Sequence, residues 1–453
     1  MRTSVLAEVR MSITGAMARD NAHLRIVRSS HKALRSFGSS FSWALSSNVV
    51  YYACQWGLLI VLAKLGTPAD VGAYALGIAV TAPVLMFASF QQRTMVASDV
   101  REEYAFSEYI TFRLASLASA MFIIWAVTVL TQTNSSSVAI ILLVGTAQGM
   151  DYVSETYFGL LQRHGQLNRV SQSLILKGPL CLMSLGLAIW VTHNVLWGAV
   201  GLVIARGLVL ILFDVPTAVR TCGPHRLVWS WRIQLRLLST ALPLGVIVGI
   251  SGFTLNVPRY FIEYFLSKRE LGIFSALASL VGAGNLVMAA LASCIIVELA
   301  KAWVADDQRS FRSLFQRFLC VSALVGTAGI VIALLAGNKV LNVLFRPEYA
   351  GNAGVLARIM AAGALGYVVC VQGYTMTAAR KLLPQIPALL GSAVVTGLSC
   401  WTLIPKRGLN GAAESWILGS LFLVVCNSFL LVILSHGRRS GQNTMLCTAL
   451  ERE

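Results

Sequence analysis

The stretches "TPADVGAYA", residues 67–75, and "SKRELGIFS", residues 267–275, are two versions of one helix start. Both fit the capping box Ser/Thr-x-x-Asp/Glu, in which the first side chain accepts from an amide and the acid reaches back. The likeness continues with a glycine, which allows close helix packing, and an aromatic residue. The corresponding residues are Thr67 and Ser267, Asp70 and Glu270, Gly72 and Gly272, and Tyr74 and Phe274. The repeat predicts that the chain has two halves of similar architecture.

The composition is that of a membrane protein. The chain is 56% hydrophobic and 12% charged, and its mean hydropathy is +0.71. A hydrocarbon core of about 30 Å needs about 20 apolar residues per helix. Such runs recur, and the one at 271–297 is long enough to be tilted or kinked. We place twelve spans at about 42–63, 71–90, 109–131, 137–160, 172–192, 195–213, 239–257, 271–297, 318–336, 354–378, 383–404 and 411–435.

The two helix starts fall on the second and the eighth span, which gives a repeat of six helices. An even period keeps both halves in the same membrane orientation, as in transporters built from parallel repeats. We therefore predict an all-α polytopic membrane protein with two six-helix lobes related by a parallel pseudo-twofold axis. The alternative is two unrelated helix starts that share good capping chemistry. The predicted units are a basic cytoplasmic tail (1–41), an N-terminal lobe (42–216), a basic cytoplasmic linker (217–238), a C-terminal lobe (239–436) and a cytoplasmic tail (437–453).

The net charge of +17 is placed as the positive-inside rule requires. Most Lys and Arg residues fall in the tails and in alternate loops, so both termini are predicted to be cytoplasmic and no nucleic-acid partner is expected. The tail 1–41 is expected to be attracted to anionic membrane lipids. The nine cysteines have no CxxC or His-paired spacing, so we predict no metal and no cofactor.

Three segments resemble a known family. They are "LGTPADVGAYALG" (65–77) with "QQR" (91–93), "GLLQRHGQLNRVS" (159–171), and "NVPRYFIEYFLSKRELGIFSALASL" (256–280). Together they resemble the polysaccharide biosynthesis or O-antigen flippase family of the multidrug/oligosaccharidyl-lipid/polysaccharide exporter superfamily. The resemblance implies two lobes around a cavity that faces each side of a bacterial inner membrane in turn. It implies export of a polyprenyl-pyrophosphate-linked oligosaccharide, with a polysaccharide polymerase and glycosyltransferases as further partners.

A pyrophosphate needs cations, and arginine suits it because its fork binds phosphate oxygens bidentately. The candidates are Arg206, Arg259, Arg93 and Lys177. Arg206 is the sharpest, because a charge near mid-membrane costs at least about 2.5 kcal/mol. Each candidate has an alternative explanation. Arg206 can pair with an acid on a neighbouring helix, Arg259 can pair with Glu263 four residues on, Lys177 can snorkel to the headgroups, and Arg93 fits an inner loop on topology alone.

Acidic side chains are the candidates for ion coupling or gating. Asp151 and Glu155 share a helix face and could bind a cation or relay a proton; the alternative is the solvated end of that helix. Glu263 is a further candidate for coupling or gating. We expect Arg113 to be an interfacial anchor and Asp214 to be a boundary residue at the end of its span.

Several function classes are disfavoured. The sequence has no GxxxxGK[ST] loop for an ATPase and no HExxH, GxSxG or DFG set, so we expect a transporter and not an enzyme. Three rivals stay open. They are a cation-coupled multidrug exporter of the same superfamily, a membrane-embedded polysaccharide polymerase or ligase, and a scaffold for glycosyltransferases.

Overall fold

The structure is a computed structural model that describes residue 43 and ranges 46–99, 101–131, 134–224, 227–379 and 384–450. It gives the backbone alone at 290, 293, 294, 297 and 434–450. Throughout these ranges the regular structure is helical. The predicted tail 1–41 lies outside the described residues, as do the last three residues of the predicted tail 437–453.

The helices of the first half are α1 (Ser46–Leu65), α2 (Pro68–Ser89), α3 (Gln92–Ser98), α4 (Phe106–Thr131), α5 (Ser135–Arg163), α6 (Leu167–Thr192), α7 (Val195–Val209), a π-helical turn (Leu210–Asp214) and α8 (Val215–Cys222). The second and sixth spans of the first half are each interrupted, the second between α2 and α3 and the sixth at a π-helical turn. The helices of the second half are α9 (Trp231–Phe265), α10 (Lys268–Ser279), α11 (Val281–Val304), α12 (Gln308–Leu344), a 3₁₀ turn (Pro347–Asn352), α13 (Ala353–Ala378), α14 (Gln385–Arg407) and α15 (Leu409–Leu450).

Twelve helical segments in the described ranges are long and apolar enough to cross a membrane, which confirms the twelve predicted spans. With twelve crossings, the first span begins and the last span ends on the same side, called here the terminal face; the other side is the opposite face. Helices reach into the predicted linker 217–238 from both ends, because α8 ends at Cys222 and α9 begins at Trp231. The lobe boundaries themselves stay a prediction.

The eighth span is broken; the length of its apolar run left a tilt or a kink open. α10 ends at Ser279 and α11 begins at Val281. At the break the hydroxyl of Tyr367 donates to the carbonyl of Val281 over 2.8 Å. A hydrogen-bond donor from a neighbouring helix thus satisfies a backbone carbonyl at the interruption, as membrane helices require.

The two repeated helix starts differ in how completely they are capped. At α2 the capping box is complete: Thr67 Oγ1 accepts from the amide of Asp70, and the Asp70 carboxylate accepts from the amide of Thr67. At α10 the Ser267 hydroxyl accepts from the amide of Glu270 over 3.2 Å. Both starts form as the sequence predicted, although the returning bond from the acid is seen only in the first.

The two repeats meet at their glycines. A Cβ added to Gly72 would overlap the carbonyl oxygen of Lys268, and one added to Gly272 would overlap that of Pro68. The reciprocal contacts place the first turns of α2 and α10 backbone against backbone. Only glycine permits an approach this close. The repeated sequence therefore encodes the crossing point of the two halves, at the opposite face.

Further contacts between the halves lie near this crossing. The Lys268 ammonium donates to the Ser137 hydroxyl over 2.6 Å. Arg346 donates to the carbonyl of Lys64 over 3.0 Å at the C-terminal end of α1, where a helix favours a positive charge. Deeper in the bundle, the Tyr260 hydroxyl donates to the carbonyl of Ala79. The halves are thus joined at the opposite face.

Arg113 has a structural position that the sequence did not reveal. It is 2% exposed and donates to the carbonyls of Ala88 and Ser89 over 3.1 and 3.0 Å and to Thr156 Oγ1 over 2.9 Å. The prediction of an interfacial anchor is therefore wrong. The guanidinium instead satisfies the last carbonyls of α2, which would otherwise lack partners in the membrane.

We expect Gly272→Ala to destabilise the protein by about 1–3 kcal/mol, the usual cost of overpacking, because the added methyl must part the backbones of α2 and α10. Thermal unfolding in detergent measures this. Gly373→Ala is the matched control, since a Cβ at Gly373 meets no heavy atom within 4 Å. Equal stability of the two variants would contradict the glycine crossing.

Candidate functional site

A chain of ion pairs lies buried within the first half. Arg206 Nη1 is 3.0 Å from Asp151 Oδ2. Lys177 Nζ is 3.3 Å from Asp151 Oδ1 and 3.5 Å from Asp214 Oδ2. Lys177 and Asp214 are each 1% exposed and Arg206 is 5% exposed. The chain joins α5, α6 and α7 with the π-helical turn that follows α7.

Neutral groups complete the surroundings of these charges. Lys177 donates to Ser154 over 2.8 Å, and Asp214 accepts from the Ser173 hydroxyl. Ser173 and Lys177 are four residues apart on α6, so both face the same neighbours. The prediction that Asp214 is a boundary residue is wrong, because its span continues to Cys222 and its side chain is buried against Lys177. The available signal was Pro216, which follows Asp214 within an apolar run and marks an irregular turn.

The charges of this chain compensate one another. Two carboxylates and two cations give a formal charge of zero, which limits the cost of holding them in a low dielectric. The pairing with Asp151 is the alternative raised for Arg206 from sequence. Lys177 is buried and paired, so it does not snorkel. Phosphate binding by Arg206 and Lys177 stays a prediction, and it would require their acids to release them.

Arg93 lies at the terminal-face end of the same half. Its guanidinium carbon is 5.6 Å from the ring centroid of Phe158, and Lys177 Nζ is 5.3 Å from the same centroid. Both contacts are within cation–π range. Among the described residues no carboxylate lies within 4 Å of Arg93, in contrast to Lys177.

Arg259 lies on α9 without an acidic partner. Its Nη1 donates to Asn256 Oδ1 over 2.6 Å. The alternative ion pair with Glu263 is absent: in the described ranges Arg259 has no carboxylate within 4 Å. The Oε2 atom of Glu263 is buried and has no hydrogen-bond partner there either. Arg259 is therefore a cation whose charge no neighbouring acid compensates.

Glu155 shares a face of α5 with Asp151, as predicted, but not its ion pairs. It is half-buried, and its nearest electrostatic neighbours include Arg93, Arg113 and Lys177. No cation lies within 4 Å of its carboxylate in the part of the chain that the structure describes. Arg206 and Lys177 compensate the negative charge of Asp151 by direct contact, whereas no described cation contacts Glu155 in this way.

A central cavity of about 750 Å³ lies between the halves, toward the terminal face. Its lining includes four aromatic side chains and a set of neutral polar ones; none of the described lining residues is Asp, Glu, Lys or Arg. The aromatic residues are Tyr52, Trp56, Tyr374 and Trp416. The polar residues are Gln55, Ser251, Thr254, Ser279, Asn285, Ser392, Thr396 and Ser420.

Neither the ion-pair chain nor Arg259 lines the cavity, but each lies next to a residue that does. Gln55 lines it and accepts a long hydrogen bond of 3.4 Å from Arg206 Nη2. Leu255 lines it from α9, and Arg259 lies one helical turn further on the same face. The cavity thus has the ion-pair chain behind one wall and an uncompensated arginine further along α9, toward the opposite face.

Comparison with known proteins adds one relative by sequence. No family model matches the chain. It is 24% identical over 378 residues to the capsular polysaccharide biosynthesis protein CapF of Staphylococcus aureus, a match that covers 83% of this chain and 94% of that protein.

Comparison of structures identifies the fold. The lipid II flippase MurJ in an inward closed conformation matches with a TM-score of 0.70 and 10% identity, over 85% of this chain and 86% of that one. An inward-facing multidrug resistance MATE family transporter of the MOP superfamily matches with a TM-score of 0.65 and 13% identity, over 86% and 96%. These likenesses and the capsular relative confirm the resemblance read from the motifs.

We expect Arg206→Met to cost about 3 kcal/mol of unfolding free energy, because it leaves Asp151 with excess negative charge in the bundle. The double variant Asp151→Asn/Arg206→Met keeps the pair of Lys177 and Asp214, so it should lose less than the sum of the two single losses. Thermal or denaturant unfolding measures the cycle. Additive losses would contradict a direct pair, and Arg259→Met is the unpaired control.

Proposed function

We propose that this chain, which has the fold of MOP superfamily transporters, is a flippase for a polyprenyl-pyrophosphate-linked oligosaccharide in a bacterial inner membrane. The substrate is a precursor of a surface polysaccharide such as capsule, O-antigen or exopolysaccharide. The observation that carries this proposal is the uncharged, aromatic and hydroxyl-lined central cavity. The protein acts as a transporter and not as an enzyme.

The cavity suits a glycan. Sugar rings present apolar faces and polar edges, so they match aromatic rings such as Trp56 and Trp416 together with amides and hydroxyls. Its volume of about 750 Å³ accommodates a ligand of several rings. The capsular polysaccharide relative supports a glycan substrate for this chain as well.

The same lining disfavours an exporter of cationic drugs. A cation taken out of water needs a compensating charge, and among the described residues no carboxylate lines the cavity. Asp151 and Asp214 lie behind its wall and are already compensated by Arg206 and Lys177. The likeness to multidrug transporters, at 13% identity, concerns the fold alone.

The pyrophosphate is assigned to the cations that have no acid within 4 Å in the described ranges. Arg259, which lies from the cavity toward the opposite face, and Arg93, toward the terminal face, meet this condition. A phosphate bound there would compensate the positive charges of these two arginines. Arg206 and Lys177 would contribute through their long-range field while their ion pairs persist.

The lipid tail has an apolar groove available outside the cavity. A cleft of about 600 Å³ lies between α2, α4, α9 and α14, and every described residue that lines it is apolar, including Phe87, Ile123 and Phe253. The cleft and the central cavity lie on either side of α9. A polyprenyl chain resting there would stay in hydrocarbon while its head group crosses.

The contacts at the opposite face support alternating access. In this structure the halves meet at Gly72 and Gly272, and the cavity extends toward the terminal face. With the termini cytoplasmic, as the positive-inside pattern predicts, this is an inward-facing state. Glu155 is the acid best placed for ion coupling, because its charge is not compensated by direct contact; Glu263 lies near the closing contacts and would act in gating.

Transbilayer movement of a fluorescent polyprenyl-pyrophosphate glycan in liposomes tests the proposal. Wild type should expose the glycan on the other leaflet, and Arg259→Ala should slow this about tenfold or more, because a charge-assisted phosphate contact is lost. Arg236→Ala, an exposed arginine on the same helix, is the control and should match wild type. A wild-type protein that moves no glycolipid but exchanges an organic cation for protons or Na⁺ would contradict the proposal.

A further inference from the structure

Helix α1 presents one face to the central cavity. Tyr52, Gln55, Trp56 and Leu59 all line it, at the i, i+3, i+4 and i+7 spacing of a single helix face. The other described lining residues come from α9 onward. This face is therefore the contribution of the first half to the wall of the cavity.

Two hydrogen-bond donors on this face have no partner. Gln55 Nε2 and Trp56 Nε1 are both buried, and neither has a hydrogen-bond acceptor within the described part of the chain. The orientation of the Gln55 amide is fixed by Arg206, because a guanidinium can only donate and Gln55 Oε1 accepts from it. The amide nitrogen must then point away from Arg206. A buried donor left unpaired costs free energy that a ligand can recover.

The facing wall has the opposite character. Its hydroxyls already donate to backbone carbonyls: Ser251 to Ile247 and Thr254 to Ile250, both over 2.8 Å. On the other elements the same holds for Ser279, Ser392 and Thr396. Hydroxyls whose protons are committed offer lone pairs to a ligand. The cavity therefore offers two unpaired donors on α1 and, on the second half, the lone pairs of these hydroxyls beside the polar groups of Asn285, Tyr374 and Trp416.

From these two unpaired donors we propose that Gln55 and Trp56 form a donor pair that binds an oxygen of the substrate which accepts hydrogen bonds and cannot donate. The hydroxyls of the adjacent sugar then donate to the wall of the second half. Two sources carry such an oxygen: a carbonyl or carboxylate substituent on a sugar, such as an acetamido group, and the pyrophosphate. The inference rests on the proposed function and specifies what its cavity recognises.

Three short-chain polyprenyl probes with the same lipid distinguish the sources: a pyrophosphate bearing N-acetylglucosamine, one bearing glucose, and one without sugar. Binding to purified protein is measured by calorimetry. Trp56→Phe keeps an aromatic ring but loses the indole N–H. Gln55→Met keeps the side-chain volume but loses the amide N–H donors. Trp190→Phe, which is 64% exposed outside the cavity, is the control.

Each variant should bind about 5–10-fold more weakly to the probe whose oxygen it holds, the usual effect of one lost hydrogen bond. If affinity falls only for the N-acetylglucosamine probe, the donor pair binds the sugar substituent. If affinity falls equally for all three probes, the donor pair binds the pyrophosphate. Gln55→Glu keeps the acceptor for Arg206 but has no N–H, so it should also bind more weakly.

Wild-type affinity of Trp56→Phe, Gln55→Met and Gln55→Glu for every probe would overturn the donor pair while leaving the flippase proposal standing. Failure of the wild-type protein to bind any of the three probes would overturn both. Melting temperatures of the variants are measured alongside. Because Gln55→Met also loses the contact with Arg206, Gln55→Glu, which keeps an acceptor for Arg206, shows whether weaker binding comes from that lost contact or from the lost N–H.

Discussion

The backbone contact between Gly72 and Gly272 is the constraint on which the arrangement of the two halves depends. Because neither position has room for a side chain, α2 and α10 approach closely enough to join the halves at the opposite face. Lys268 and Arg346 add hydrogen bonds across the same region. The halves also pack along α2 and α9 toward the terminal face, where Gly245 lies against Phe87 and Phe90. The central cavity lies between α1 and the helices of the second half.

The second constraint is electrostatic. The first half holds four charges that compensate one another, from Arg206 through Asp151 and Lys177 to Asp214; all but the partly exposed Asp151 are buried. The cavity wall in front of them is uncharged, and Gln55 is the neutral group between the two. Fold alone does not separate a drug exporter from a lipid flippase, since both kinds of structure resemble this one. The distribution of charge favours the proposed flippase, because no acid is among the described residues that line the cavity.

Much of the fold could be predicted from sequence, because each feature is local. Apolar runs predicted the twelve spans, and the two capping boxes predicted the starts of α2 and α10. The length of the run at 271–297 left a tilt or a kink open, and the structure has a break at Leu280. The candidate site was harder. Arg206 and Asp151 were identified as candidates, but whether they touch depends on how α5 and α7 pack. Gln55 and Asp214 were missed because an amide and an acid near a helix end carry no distinctive spacing.

Alkylation of Cys370 tests most directly whether the uncharged cavity is the glycolipid site. Cys370 lines the cavity, so a bound ligand should shield its thiol from alkylation, and Cys370→Ala gives the background from the other cysteines. If the glycolipid binds in the cavity, a polyprenyl-pyrophosphate glycan should slow the labelling of Cys370, whereas tetraphenylphosphonium should not. Protection by the organic cation, with none from the glycolipid, would contradict binding of the glycolipid in the cavity.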